Sequence, residues 1–241
     1  MPLFGPADNR ITPADRARTY EILGFRGGEG ARAVPASLDL ATLVDTAHLR
    51  ELHARSREEY RRGRGGGTLR GLTEYRVGVE LLAHQRVDRP ANQPVLGLTE
   101  VRPGRANHGG REVDPTRTIV GTIHTHPWDV AQSIADVRNL VRANDVVGGV
   151  VTYTGRISLL VKHPDAPERD RSPVASEIRL QRASLQDAPG LLRRLGVLGV
   201  LSAGYDLPIR SARDPYIRTV CRCLGLVSYV GDVVSLTLRQ G

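Results

Sequence analysis

The sequence of 241 residues predicts an α/β domain with an extension at each end. A helical pattern at 38–62 precedes three separate strand patterns, the third of which leads into two histidines and an amphipathic helix. Two further apolar strands follow, joined by a short turn. We therefore place an N-terminal extension at 1–36, the domain at 37–168 and a C-terminal α+β appendage at 169–241.

The composition favours a globular protein and does not indicate nucleic-acid binding. Apolar residues make up 40% of the chain, which is enough for a core. The net charge of +8 comes almost entirely from arginine, since Lys162 is the only lysine. A basic balance suits nucleic acid or an acidic partner, but no basic stretch is interleaved with aromatic residues that could stack on bases. We therefore expect no nucleic acid as the main ligand.

The cysteines and the N-terminus favour a cytoplasmic location. Cys221 and Cys223 are separated by a single residue and offer no disulfide framework, so we expect reduced thiols. The first residues lack the basic segment and apolar run of a signal peptide. No apolar run approaches the roughly 18 residues that a membrane span needs, and we expect no membrane association.

Two helices are predicted in the first third of the chain. Thr12 is a suitable N-cap and Pro13 a suitable first residue for a short helix that ends near residue 23. The second helix spans 38–62 and ends at a run of glycines. Its predicted inner face combines apolar and polar residues at three- and four-residue steps, namely Leu49, Leu52, His53, Ser56 and Tyr60.

Five strands and one helix are predicted in the rest of the domain. The strands are placed at 69–82, 95–101, 118–125, 146–153 and 157–161 because these stretches are apolar and rich in β-branched residues. A helix at 133–143 lies between the third and fourth strands, and Thr154-Gly155-Arg156 joins the last two. In the appendage, alternating residues at 227–238 predict a hairpin.

The third predicted strand carries two histidines that are candidate metal ligands. His124 and His126 are two residues apart, so on a strand their imidazoles point to the same face. Pro127 ends the strand because it has no N–H to donate. Asp136, on the first turn of the next helix, can bring a carboxylate to the same point. Two imidazoles and one carboxylate suit zinc and leave a fourth position open.

Ser133 and Asp136 also have a structural interpretation. Ser-x-x-Asp before an apolar run is a helix capping box in its Asp form. The two interpretations are compatible, because capping fixes the turn that would present Asp136 to a metal.

The segment Gly-Thr-Ile-His-Thr-His-Pro followed by Ser-x-x-Asp resembles the JAMM motif of the JAB/MPN metalloproteases. The resemblance implies a JAB/MPN-like (cytidine-deaminase-like) mixed sheet flanked by helices. It implies one Zn²⁺ held by His124, His126 and Asp136, and Ser133 as a residue that stabilises the tetrahedral intermediate. This chain has one residue fewer between the second histidine and the serine than the usual pattern.

A zinc hydrolase also needs a general base. In the JAB/MPN family this is a glutamate on the strand after the first helix, and Glu74 stands at that place. Glu80 is the alternative, six residues further along the same predicted strand, and Glu100 follows as a third candidate.

The resemblance implies a peptidase or isopeptidase that hydrolyses an amide at the C-terminus of a ubiquitin-like protein. Trp128 is a candidate substrate contact, and the extensions are candidate sites for a protein partner. Two alternatives remain. One is a catalytically inactive scaffold or protein-binding module; the other is a hydrolase acting on a small amide or in a DNA-linked pathway.

Overall fold

The fold is described from a computed structural model that covers residues 11–27, 33–66, 72–82, 96–104, 117–126, 129, 132–165, 218, 221 and 224–241. The helices are α1 (Pro13–Ile22), α2 (Leu40–Leu43), α3 (Ala47–Gly66) and α4 (Ile134–Arg142). The strands are β1 (Ser37–Asp39), β2 (Glu74–Leu81), β3 (Leu96–Leu98), β4 (Arg102–Gly104), β5 (Thr118–His126), β6 (Val147–Thr152), β7 (Arg156–Lys162), β8 (Leu226–Asp232) and β9 (Thr237–Gln240).

The described strands form one curled mixed sheet flanked by helices, which confirms the predicted α/β class. The strand order is β1-β9-β8-β7-β6-β5-β2-β3. On the edge of β2 that faces away from β5, β3 pairs with residues 79–81 and β4 pairs with residues 74–76. β5 and β6 are parallel and joined through α4, whereas the other pairs are antiparallel. A parallel pair needs such a crossover. Because β5 and β6 run in the same direction, their carboxyl ends lie at the same end of the sheet.

Helices α3 and α4 cover opposite faces of the sheet. The guanidinium of Arg55 in α3 lies 5.4 Å from the ring centroid of Tyr75, which fixes the α3 face. On the other face, a side chain at Gly148 of β6 would meet Leu140 of α4. Because side chains alternate along a strand, each strand residue can be assigned to the α3 face or the α4 face.

The first predicted helix is confirmed and the second is wrong in its first part. Thr12 caps α1 by accepting from the Asp15 backbone N–H, with Pro13 in the first turn. Residues 37–44 instead form β1 and the short helix α2. Asp39 accepts from the backbone N–H of Ala41, and Val44 is extended, so the chain is interrupted before α3 begins. Asp39 caps the start of α2, and Asp45 accepts from the Ala47 backbone N–H at the start of α3, so two local caps divide the segment that the periodicity predicts as one helix.

The C-terminal strands belong to the same sheet as the motif. β8 and β9 form the predicted hairpin; β8 pairs along the length of β7, and β9 pairs with β1. Nearly every β7 residue is buried, and a strand in that position needs a partner on each side. Strands beyond residue 168 thus continue the sheet of the domain placed at 37–168.

Three smaller differences concern strands and helices near the site. β2 begins at Glu74 rather than at residue 69, and β3 is only three residues long. Strand β4 was not predicted, because Arg102–Gly104 is short and contains proline.

Among the described helices, none combines the length and apolar character that crossing a bilayer requires.

Candidate metal centre

The candidate metal centre lies at the carboxyl end of β5. His124 and His126 point to the α4 face, and their Nε2 atoms are 3.1 Å apart. Asp136 approaches them from the first turn of α4. Its Oδ1 lies 3.3 Å from Nε2 of His124, and its Oδ2 lies 3.4 Å from Nε2 of His126. The structure thus brings together the three residues that the spacing of the sequence selects.

The first turn of α4 fixes the Asp136 carboxylate. Ser133 is the N-cap, and its hydroxyl accepts from the Asp136 backbone N–H at 3.1 Å. In return Asp136 Oδ2 accepts from the Ser133 backbone N–H at 2.6 Å and from the Ser133 hydroxyl at 2.8 Å. The capping box is therefore formed, and it holds the same carboxylate that faces the histidines.

The donor atoms lie close enough together to converge on one small metal ion. Metal–ligand bonds of about 2.0–2.1 Å at tetrahedral angles place ligand atoms about 3.3–3.4 Å apart. The two imidazole nitrogens are 3.1 Å apart, and His124 and His126 lie 3.3 and 3.4 Å from different oxygens of the Asp136 carboxylate. With one ligand atom taken from each residue, all the separations are within 4.8 Å. The His-His-Asp group can hold a metal ion, with one ligand atom from each residue.

The cluster is largely but not completely buried. His124 and Asp136 keep 19% of their side-chain surface exposed, and His126 keeps 9%. Burial alone would lower the pKa of His124, but the charge and hydrogen bond of Asp136 outweigh it and raise that pKa above 6.5. Burial opposes the charge of Asp136, yet the two histidines hold the pKa of its carboxyl well below 3.8. The remaining exposure leaves the cluster open to a ligand from solvent.

Glu74 lies on the same face as the cluster. Arg76 of β2 is directly paired with His124 of β5, so their side chains share a face. Glu74 precedes Arg76 by two residues and shares that face as well. The Glu74 carboxylate contributes to raising the pKa of His124, whereas the Arg76 guanidinium opposes the rise. Glu74 is therefore the candidate base that the structure places at the cluster.

The two competing glutamates lie elsewhere. Glu80 is opposite Ile119 at the start of β5, beyond a β-bulge, and its carboxylate lies 3.6 Å from the guanidinium of Arg117. Glu100 follows β3, with 84% of its side chain exposed to solvent. Glu80 thus lies at the end of β5 away from the histidines, and strand β2 lies between β5 and the β3 strand that Glu100 follows.

Two residues of α3 support the site from the opposite face, and their roles were not predicted. Ser56 donates a 2.6 Å hydrogen bond to the backbone carbonyl of His126. Glu59 is buried and accepts from the backbone N–H of Thr73, the residue before Glu74, at 2.9 Å. In the sequence, the signal for these two roles is a serine and a glutamate three residues apart within the predicted helix.

The loop between His126 and Ser133 is anchored to the β6–β7 hairpin. Gln132 donates from Nε2 to the Ser158 carbonyl at 2.7 Å and accepts from the Ser158 hydroxyl at 2.8 Å. Asp129 accepts from the hydroxyl of Thr154 at 2.7 Å. With these anchors, the loop that is one residue short still brings Asp136 to the histidines. Trp128 lies outside the described residues.

Comparisons of the chain with protein-family models, with curated proteins and with solved structures found no match. The resemblance to the JAB/MPN metalloproteases therefore depends on the motif residues themselves.

Proposed function

We propose that this chain is a zinc-dependent peptidase or isopeptidase of the JAMM type, with a JAB/MPN-like fold. The observation that carries the proposal is the convergence of His124, His126 and Asp136, whose candidate ligand atoms lie within 4.8 Å of one another. Glu74 on the neighbouring strand and Ser133 at the start of α4 complete the set of residues that such a hydrolase uses.

His124, His126 and Asp136 would hold the zinc ion. Zinc bound by three protein ligands lowers the pKa of a water molecule to about 7 and polarises the substrate carbonyl. The donor set fits zinc better than magnesium or calcium, because imidazole nitrogen suits zinc whereas the other two prefer oxygen ligands.

Glu74 acts as general base and then as general acid. Its carboxylate accepts a proton from the attacking water and later delivers it to the leaving amine. The position of Glu74 beside His124 supports this role, because the strand pairing puts both side chains on one face.

Ser133 stabilises the oxyanion that forms when water attacks the carbonyl. Its hydroxyl donates to Asp136 in the structure as described. To donate to the substrate, the hydroxyl hydrogen turns away from Asp136, while the capping bond from the Asp136 backbone N–H can remain. A single donor of this kind contributes about 3–4 kcal/mol to stabilising a transition state in other enzymes.

The substrate we propose is an amide at the C-terminal tail of a ubiquitin-like protein, either a lysine isopeptide or a precursor extension. This choice is supported by the motif resemblance alone. The N-terminal extension at 1–36 and the C-terminal appendage at 169–241 remain candidate binding sites for a protein partner, and we propose a cytoplasmic location.

The first test measures zinc in the purified protein. We expect about one zinc per chain in the wild type and loss of zinc in His126→Ala and Asp136→Ala. His163→Ala is the matched control, since it removes an imidazole outside the cluster. A folded wild type that takes up no zinc when zinc is supplied would contradict the proposal and favour an inactive scaffold.

The second test separates chemistry from metal binding. Glu74→Gln should keep the zinc and lose cleavage of a ubiquitin-like protein extended at its C-terminus by a fluorescent amide. Glu80→Gln is the control, because Glu80 lies at the other end of the strand. Equal cleavage by wild type and Glu74→Gln would exclude Glu74 as the base.

A further inference from the structure

A cleft of about 570 Å³ lies on the α3 face of the sheet, separate from the candidate metal centre. It is bounded by one side of α3 and by the turn between β6 and β7. Its volume is within the range of about 300–1,000 Å³ that is usual for ligand sites. The lining residues are His53, Arg57, Tyr60, Arg61, Tyr153 and Thr154.

The walls of the cleft are held together by two contacts. The ring nitrogen Nε2 of His53 lies 3.1 Å from the carbonyl oxygen of Tyr153, within hydrogen-bond distance. The rings of Tyr60 and Tyr153 stack with centroids 3.7 Å apart and planes 9° from parallel. Gly155, with φ of +87°, completes the turn, and a side-chain carbon there would lie 3.0 Å from Val233 and 3.2 Å from the His53 ring. The cleft is therefore a built feature of the fold.

The charges on α3 are distributed unevenly around the cleft. Arg55 pairs with Glu51 and Glu58, and Arg62 pairs with Glu59. Their neighbours on the cleft side differ: Arg57 and Arg61 are exposed and have no ion-pair partner among the described residues. Among the described residues that line the cleft, none is acidic. The cleft therefore presents two guanidinium groups that have no ion-pair partner in the described part of the chain, beside an aromatic pair.

We propose that this cleft docks an acidic segment of a protein partner. Guanidinium groups bind carboxylates through paired hydrogen bonds, and Arg57 and Arg61 lie one helical turn apart, so two neighbouring carboxylates can reach them. Tyrosine and arginine are also the residues that most often anchor protein interfaces. The net charge of +8 would steer an acidic partner towards the chain.

A nucleic acid is less well suited to the cleft. Tyr60 and Tyr153 cover each other's facing surfaces, so a base cannot insert between them. The cleft also adjoins the loop that follows the candidate metal centre, because Thr154 of its lining donates to Asp129 in that loop. A docked protein would thus lie beside the loop that leads to Ser133. The inference does not depend on zinc chemistry, since binding can be measured without activity.

The test is the binding of a fluorescein-labelled hexaglutamate peptide, amidated at its C-terminus, measured by fluorescence anisotropy at low salt. We expect the wild type to bind it and to ignore hexaglutamine. The double variant Arg57→Ala/Arg61→Ala should bind about five- to tenfold more weakly, since each exposed ion pair contributes only modestly to binding.

The matched control is Arg50→Ala/Arg239→Ala, which removes the same charge from exposed positions outside the cleft. It should leave peptide binding nearly unchanged, and circular dichroism should show that both variants fold. Equal weakening in the two double variants would mean that net charge alone attracts the peptide, which overturns the proposal. Absence of hexaglutamate binding also overturns it, as does tighter cleft-dependent binding of a single-stranded oligothymidylate.

Discussion

The hydroxyl of Ser56 donates a 2.6 Å hydrogen bond to the backbone carbonyl of His126. Both residues are buried, and the bond connects α3 on one face of the sheet to the strand whose imidazoles point to the other face. His126 is the last residue of β5, so its carbonyl lies where the ladder of the sheet ends. Ser56 therefore holds the end of β5 in the position from which the imidazoles meet Asp136.

Ser56→Ala should destabilise the protein by about 1–3 kcal/mol, because it removes the donor to a buried carbonyl. It should also weaken metal binding, since the end of β5 loses a support. Urea unfolding with and without zinc measures both effects. The control is Ser37→Ala, an exposed serine of β1, which should change neither. An unchanged free energy of unfolding in Ser56→Ala would show that this hydrogen bond does not stabilise the fold.

The charge pair in the metal-free cluster predicts a pH dependence. A histidine with a raised pKa stabilises the fold below its unfolded value of about 6.5, and this stabilisation is lost as the pH rises through the folded value. Asp136, with a lowered pKa, contributes above about 3.8 and loses its contribution as the pH falls through the folded value. The pair therefore stabilises the fold most between about pH 3.8 and about pH 6.5.

In a chelator, Asp136→Asn should cost more stability at about pH 5.5 than at about pH 8.5, because the histidine carries its charge at the lower pH. NMR titration of the His124 ring should show its pKa falling in the variant, where burial is no longer opposed by the carboxylate. Zinc should behave in the opposite way and stabilise the wild type more at the higher pH, since its ligands must lose their protons. A His124 pKa unchanged by the substitution would contradict this account.

Gln132 and Ser158 form a buried pair that sets the position of the α4 N-terminus. Removing either side chain leaves polar atoms of the other without a partner, which should cost about 1–3 kcal/mol. A double-mutant cycle of Gln132→Ala and Ser158→Ala, followed by urea unfolding, should give a double variant less destabilised than the sum of the singles. Simple additivity would mean that the two side chains act independently.

The core of the candidate site could be predicted from sequence because its determinants are local. The spacing of His124 and His126 places both on one face of a strand. The capping box of Ser133 and Asp136 fixes the carboxylate within a single helical turn. Each of these relationships spans three residues or fewer and follows from strand or helix geometry.

The rest depends on pairing between distant segments. Strand parity puts Glu74 and Glu80 on the same face, so the sequence could not separate them; the register of β2 on β5 does so. The contact between Ser56 and His126 joins residues 70 apart. The pairing of β8 with β7 could not be predicted from the local sequence either, because a hairpin pattern does not determine which other strand the hairpin pairs with.

Burial predicts an unreactive thiol at Cys221. It raises the pKa of this thiol to about 12, so almost no thiolate is present near neutral pH. In a Cys223→Ser background, Cys221 should resist iodoacetamide at about pH 8 in the folded protein and react readily in urea. Intact mass measurement follows the reaction. Rapid alkylation of the folded protein would show that the segment around Cys221 opens to solvent.

Gly121 permits the close approach of β5 to β6 near the start of both strands. It pairs with Val147, and a side-chain carbon there would lie 2.8 Å from the Cβ of Val147 and closer still to its carbonyl oxygen. Backbone atoms cannot move aside as a flexible side chain can, so the two strands would have to separate. Gly121→Ala should therefore destabilise the protein by about 1–3 kcal/mol, the usual cost of overpacking.

Gly148→Ala on the neighbouring strand is the matched control. A side-chain carbon there would meet only the flexible end of Leu140 at 3.2 Å, so a small shift of that side chain relieves the contact. Urea unfolding of both variants compares the two sites, and zinc binding then reports whether separating β5 from β6 disturbs the histidines. Gly121→Ala should weaken zinc binding and Gly148→Ala should not, because only the first displaces the strand that carries both imidazoles. Equal destabilisation by the two substitutions would mean that the β5–β6 contact is not what requires glycine at position 121.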